Sequence, residues 1–172
     1  MNTNTENLSE IRTTAANSDI ADIIVPLAKR MDRFMAGELV LSELYGVSKD
    51  ELWGIAQSGS AMIEDGRLDE AQKVFEGLTA LDPYESHYHT ALGCVYQRQE
   101  QLEDANREYE RAAFLSTSDL LARANRVEVL VQLERYAEVV KQTEELAALD
   151  PRAMNEATQR AVVLVSAIYK SI

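Results

Sequence analysis

Two histidines and one cysteine, His87, His89 and Cys94, are the residues from which this chain would build metal or nucleophilic chemistry. Histidines two apart on a helix point about 200° from one another, so His87 and His89 do not share a metal ion. A reactive thiolate needs a base arranged beside it, and no spacing in the sequence supplies one for Cys94. A single cysteine also forms no internal disulfide and fits a reducing compartment. Glycine-rich phosphate loops and nucleophile elbows are absent from the sequence. The expectation is a protein with no catalytic centre, metal or cofactor, whose chemistry is binding. Thr90, Gln97 and Arg98 carry donors for a peptide backbone, and Trp53, Leu121 and Val131 carry apolar surface.

Those side chains can act together only if separate helices bring them to one wall. The stretch Ala71 to Pro83, AQKVFEGLTALDP, provides the frame. Its Ala, Phe and Leu-Asp-Pro spacing recurs 34 residues on as Ala105, Tyr109, Ala112 and Leu115, with Thr117 at the Pro place. It recurs again 68 residues on, ending in Leu149-Asp150-Pro151. A 34-residue helix-turn-helix period is the signature of tetratricopeptide repeats. Three repeats follow, over 52–85, 86–119 and 120–153, after the capping box Ser48-Lys49-Asp50-Glu51. In the first, Gly59 marks a close helix approach and Gly66 a turn. The second is the best copy. In the third, Arg126 and Val127 stand where a Leu-Gly pair is expected. The segment 154–171, with Ala157, Ala161, Leu164, Val165 and Ile168 at helical spacing, reads as a capping helix over the open apolar end of the stack. The fold class is an all-α tetratricopeptide superhelix with N-terminal helices and this C-terminal cap, the repeats and cap forming one domain over 48–172.

Upstream, residues 1–17 are polar and without apolar periodicity, as in a disordered tail. Over 18–47 a helical region is expected. Ile20, Ile23, Ile24, Leu27, Met31 and Phe34 line one face of a helix that Ser18 or Asp19 can cap and Gly37 can end. Pro26 either kinks that helix or lies in its first turn. The stripe is covered either by the first repeat or by a second copy of the chain, which makes these residues dimerisation candidates. A short helical piece from Glu38 to Tyr45 follows, with Gly46 as a left-handed stop.

The composition agrees. Only 7 Gly and 3 Pro occur, and 46% of residues are hydrophobic against 27% charged. A formal charge of −12 argues against nucleic acid, which needs clustered Lys and Arg. No run approaches the roughly 20 apolar residues of a membrane helix, so membrane insertion is not expected. The N-terminus has no secretory signal pattern, which places the protein in the cytoplasm.

In a stack of helix pairs the first helices form the inner wall. By register that wall holds Trp53, Ala56, Ser60 and Ile63, then His87, Thr90, Cys94, Gln97 and Arg98, then Leu121, Ala124, Glu128 and Val131. The phrases ELYGVSKDELWGIAQ, EDGRLDEAQKVFEGLTALDPYESHYHTALGCVYQ and LEDANREYERAAFLS resemble the tetratricopeptide-type chaperones of bacterial type III secretion that serve translocator proteins. The resemblance spans roughly Gly37 to Pro151. It implies a cytoplasmic bacterial chaperone, often dimeric through its N-terminal helices, that holds a hydrophobic secreted client by an N-terminal segment in the concave groove. By matching place it adds Tyr88 to Trp53, Ile63, Thr90, Cys94 and Gln97 as contact residues. The alternative is a general repeat adaptor for another bacterial assembly. Capture of an acidic C-terminal carboxylate is largely excluded, because Ala56, Ser60 and Leu121 occupy the places where Lys, Asn and basic residues would be needed.

Overall fold

Where a 34-residue period repeats, each helix pair can bury its apolar face only against its neighbours. The computed structural model describes residues 26–171, and among them there is no strand. The expected tail, its Ser18 or Asp19 cap, and Ile20, Ile23 and Ile24 lie outside the described residues. The chain divides into two compact units, Met1–Ser48 and Lys49–Ile172.

In the first unit, helix α1 runs through residues 26–35, followed by a turn in which Gly37 has a φ of 75°. Helix α2 is Leu41–Tyr45, shorter than the expected piece from Glu38. The cause is local. Glu38 is drawn back to Arg33 at 3.2 Å, and the Val40 N–H donates to Glu43 Oε2 at 3.0 Å, so α2 starts only after Val40. Gly46 closes α2 in the left-handed conformation, its N–H donating to the Glu43 carbonyl. On α1, Leu27 and Met31 are exposed and Phe34 is half-buried.

The second unit holds three helix pairs and a final helix. The pairs are α3 (Lys49–Glu64) with α4 (Leu68–Leu81), α5 (Ser86–Arg98) with α6 (Leu102–Leu115), and α7 (Leu120–Gln132) with α8 (Tyr136–Leu149). Helix α9 is Glu156–Ser171. Each helix packs on the next, and the first helices also touch one another, α3 on α5, α5 on α7 and α7 on α9. Helix α3 begins at Lys49, directly after Ser48, where the capping box puts it, three residues before register position 52. One boundary differs from the sequence reading: α9 begins at Glu156 because residues 150–155 form a turn. In that turn the Asp150 carboxylate accepts from the Met154 and Asn155 N–H groups at 3.0 and 2.9 Å.

The period survives because the helices of a pair meet at two complementary positions. A Cβ built on Gly59 would lie 2.9 Å from the Phe75 ring, and one on Gly93 would lie 2.7 Å from the Tyr109 ring. Both rings are 0% exposed, and burying an aromatic of this size stabilises by about 1.5–3 kcal/mol. The third repeat reverses the sizes, with buried Val127 at the glycine place and Thr143 at the aromatic place. Its neighbour Arg126 is buried at 7% exposure and satisfied by α6, with Nε donating to Asn106 Oδ1 at 3.0 Å and a terminal nitrogen to Glu110 at 2.7 Å. The third repeat therefore keeps the period with different chemistry. Its core, Ala124, Val127, Leu130, Val139 and Leu146, is closed by Ala157, Ala161 and Val165 of α9.

Candidate functional site

The first helices leave one polar and apolar wall unfilled, a groove of about 700 Å3 lined only by α3, α5, α7 and α9. Helix α3 contributes Ser60, Ile63 and Glu64. Helix α5 contributes His87, Thr90, Ala91, Cys94, Gln97 and Arg98. From α7 come Leu121, Asn125, Glu128 and Gln132, and from α9 Arg160. The spacing on α5 follows from the helical repeat, since residues three and four apart share a face. Two carboxylates and two guanidinium groups face the groove, so its formal charge is balanced although the chain carries −12.

Of the residues expected on the inner wall, Ser60, Ile63, His87, Thr90, Cys94, Gln97, Arg98, Leu121 and Glu128 are brought together around this groove. Five residues are placed elsewhere. Ala124 is 0% exposed and belongs to the core between α7, α8 and α9, and Val131 packs on the same cluster. Ala56 is buried as well. Tyr88 is 4% exposed, one helix step round from His87, and burial pushes its phenol pKa up. Trp53 lies outside the groove lining. It is half exposed, with its ring 5.3 Å from that of His87. The sequence reading did not include Ala91, Asn125, Gln132 and Arg160. Asn125 and Arg160 had no signal in the period, since one is a polar residue in the divergent repeat and the other lies beyond the last full repeat.

The two histidines take unrelated partners. His89 is buried, with Nδ1 2.7 Å from Glu108 of α6 and Nε2 3.1 Å from the Pro83 carbonyl, so it ties α5 to α6 and to the preceding turn. Among the described residues no group of three or more His, Cys, Asp or Glu is placed to hold a metal ion. Cys94 is half-buried in the groove wall.

Polar groups at the groove fix helices as well as line it. The Thr90 hydroxyl bonds Asp119 Oδ2 at 2.8 Å, while Asp119 Oδ1 caps α7 through the Ala122 N–H at 2.9 Å. Arg98 donates to the Ile63 carbonyl at 2.7 Å, satisfying an acceptor in the last turn of α3. Deeper in, Tyr109 Oη donates to Gln97 Oε1 at 2.8 Å and receives Asn125 Nδ2 at 3.3 Å. Arg160 donates to Asn125 Oδ1 at 3.1 Å and pairs with Glu128 at 3.3 Å. Burial of Tyr109 raises its phenol pKa well above the ordinary value, so the ring keeps its proton as a donor. On the far side, Tyr96 is pushed up to about 12 by burial and by its hydrogen bond to Glu76.

No family model matches the chain. Among curated proteins, it is 27% identical over 108 residues to the low calcium response locus protein H of Yersinia pestis, covering 63% of this chain and 64% of that one. It is 29% identical over 97 residues to anaphase-promoting complex subunit 3 of Schizosaccharomyces pombe, covering 56% of this chain and 15% of the relative. The chain therefore spans less than two thirds of the length of either. Among solved structures, a type III secretion complex from Aeromonas hydrophila superposes with a TM-score of 0.74 at 24% identity, covering 82% of this chain and 95% of that one. PcrH of Pseudomonas aeruginosa, solved with the chaperone binding region of PopD, superposes with a TM-score of 0.67 at 25% identity, covering 73% and 96%. The chain has the tetratricopeptide-repeat fold and resembles the translocator chaperones of type III secretion.

Proposed function

We propose that this chain is a non-enzymatic bacterial chaperone of the cytoplasm that holds one segment of a hydrophobic, translocator-like secreted protein in the groove between α3, α5, α7 and α9. The observation that carries the reading is the groove itself. It is an open, charge-balanced trough with apolar Ile63, Ala91 and Leu121 beside the donors Gln97 and Arg98. Such a surface suits an extended or helical peptide, whose backbone needs donors and whose apolar side chains need cover. The likeness to PcrH, solved with the chaperone binding region of PopD, supports the client class. Ordering a flexible segment costs entropy, so a few anchoring contacts dominate its affinity. Among the described residues no helix is long and apolar enough to cross a membrane.

The test is co-expression with each neighbouring open reading frame, followed by co-purification and mass determination. The expected result is a stable complex with a protein that is insoluble alone. Ala91→Arg, which fills the middle of the groove, should abolish that complex and leave helicity unchanged. A complex that persists with the groove filled would show that the client binds elsewhere. The second reading, a repeat adaptor for another assembly, is favoured by the match to the anaphase-promoting complex subunit. A partner that stays folded and soluble without this chain would establish it.

A further inference from the structure

Four side chains join the floor of the groove to α9: Gln97, Tyr109, Asn125 and Arg160. Hydrogen-bond chains of this kind usually leave amide orientations open, because oxygen and nitrogen of Asn and Gln are interchangeable without further information. This one has a fixed origin. A guanidinium donates only, so the Asn125 atom 3.1 Å from Arg160 must be its carbonyl oxygen. The Asn125 amide nitrogen then faces Tyr109 at 3.3 Å and, being a donor, obliges the phenol oxygen to accept. The single phenol proton is left for Gln97, 2.8 Å away, which must present its oxygen inward. Tyr109 is 0% exposed, so water does not replace either partner.

We infer that Arg160, acting through Asn125 and Tyr109, sets the polarity of the groove at Gln97, so that the Gln97 amide NH2 faces the groove and selects a client oxygen, a backbone carbonyl or a carboxylate, at that point. Gln97 lines the groove and is half-buried, which leaves its amide nitrogen accessible from that side. Arg160 is a positioning residue, since α9 reaches the client's oxygen through three intermediates, Asn125, Tyr109 and Gln97. The inference deepens the proposed chaperone function and rests on the groove being a peptide site.

The test uses the full chain with 15N-labelled Asn and Gln side chains, first free and then with a peptide of the PopD chaperone binding region as probe. In the free protein the Asn125 amide protons should exchange slowly with water and show nuclear Overhauser contacts to the Tyr109 ring, while the Gln97 amide protons exchange rapidly. Arg160→Met should speed Asn125 exchange several-fold and Arg160→Lys, also a pure donor, should restore it. Gln97→Glu keeps the acceptor for Tyr109 but turns an oxygen to the groove, and should weaken the probe about tenfold, the size of one lost hydrogen bond and the repulsion that replaces it. Circular dichroism should show no change for any of the three variants. A protected Gln97 amide in contact with the Tyr109 ring, or Asn125 exchange indifferent to Arg160→Met, overturns the relay. Unchanged probe binding by Gln97→Glu overturns the selection of an oxygen. A probe that binds neither protein counts against the client class, while the exchange rates of the free protein still decide the polarity.

Discussion

At the scale of single residues, the repeat is enforced by two backbone positions per helix pair. Gly93 sits against Tyr109, and an added Cβ would come within 2.7 Å of a ring that has no exposed side towards which to move. Gly93→Ala should therefore lower stability by about 1–3 kcal/mol, the range for overpacking a dense core, as read from urea unfolding midpoints. The turn between helices offers the opposite case. Gly66 has a φ of 76°, and the same place in the next two repeats holds Glu100 at 61° and Glu134 at 59°. A side chain pays a steric penalty there that glycine avoids, so Glu100→Gly should raise stability by up to about 1 kcal/mol in the same measurement. The sequence shows Gly59 and Gly66 as special, but it does not show Glu100 or Glu134, because nothing in a glutamate advertises a left-handed backbone. The misplacement of Tyr88 and Ala124 has a similar origin. Neighbours on a helix differ by about 100°, and the period fixes which residues share a face without fixing how that face is turned towards the groove.

At the scale of elements, the 34-residue interval located every helix of the repeats, and the departures are confined to their ends. Helix ends are set by capping groups that lie several residues away from the periodic positions. The turn between α8 and α9 shows this most clearly, since Asp150 organises it through two backbone N–H groups. Those bonds favour the charged carboxylate, the Asn155 N–H foremost and then that of Met154, and they hold its pKa below the ordinary carboxylate value. A depressed folded-state pKa stabilises the fold at pH values above the unfolded pKa, and the contribution disappears as pH falls through the folded value. Asp150→Asn should consequently be less stable than the parent at neutral pH, and the gap should close on acidification below about pH 4, the ordinary carboxylate range. Urea midpoints measured for both proteins from neutral to acid pH test this. A gap that does not change with pH would mean that the amide substitutes for the carboxylate or that the turn is held by packing alone. The third repeat was legible by interval only, because its Val127 and Arg126 replace the glycine and leucine by which such repeats are recognised, and the partners of Arg126 come from α6.

At the scale of the whole molecule, the acid excess and the groove are separate features. The groove is lined by equal numbers of positive and negative formal charges, so the net −12 is carried on the remaining surface, where it disfavours contact between copies at long range. Any self-association must then rest on apolar contact, and the stripe expected on the N-terminal helix is one candidate source among the exposed apolar side chains. Leu27 and Met31 are each 43% exposed, an arrangement that leaves two large side chains of α1 open to a partner. Leu27→Glu together with Met31→Glu should convert a dimer to a monomer in sedimentation equilibrium, because burying two carboxylates in an apolar contact costs far more than the contact returns. The melting temperature of the repeats should remain within a few degrees of the parent, and groove binding should persist. A drop in melting temperature with no change in mass would instead show that the stripe is covered within its own chain, and the helix would then be part of the fold of the monomer.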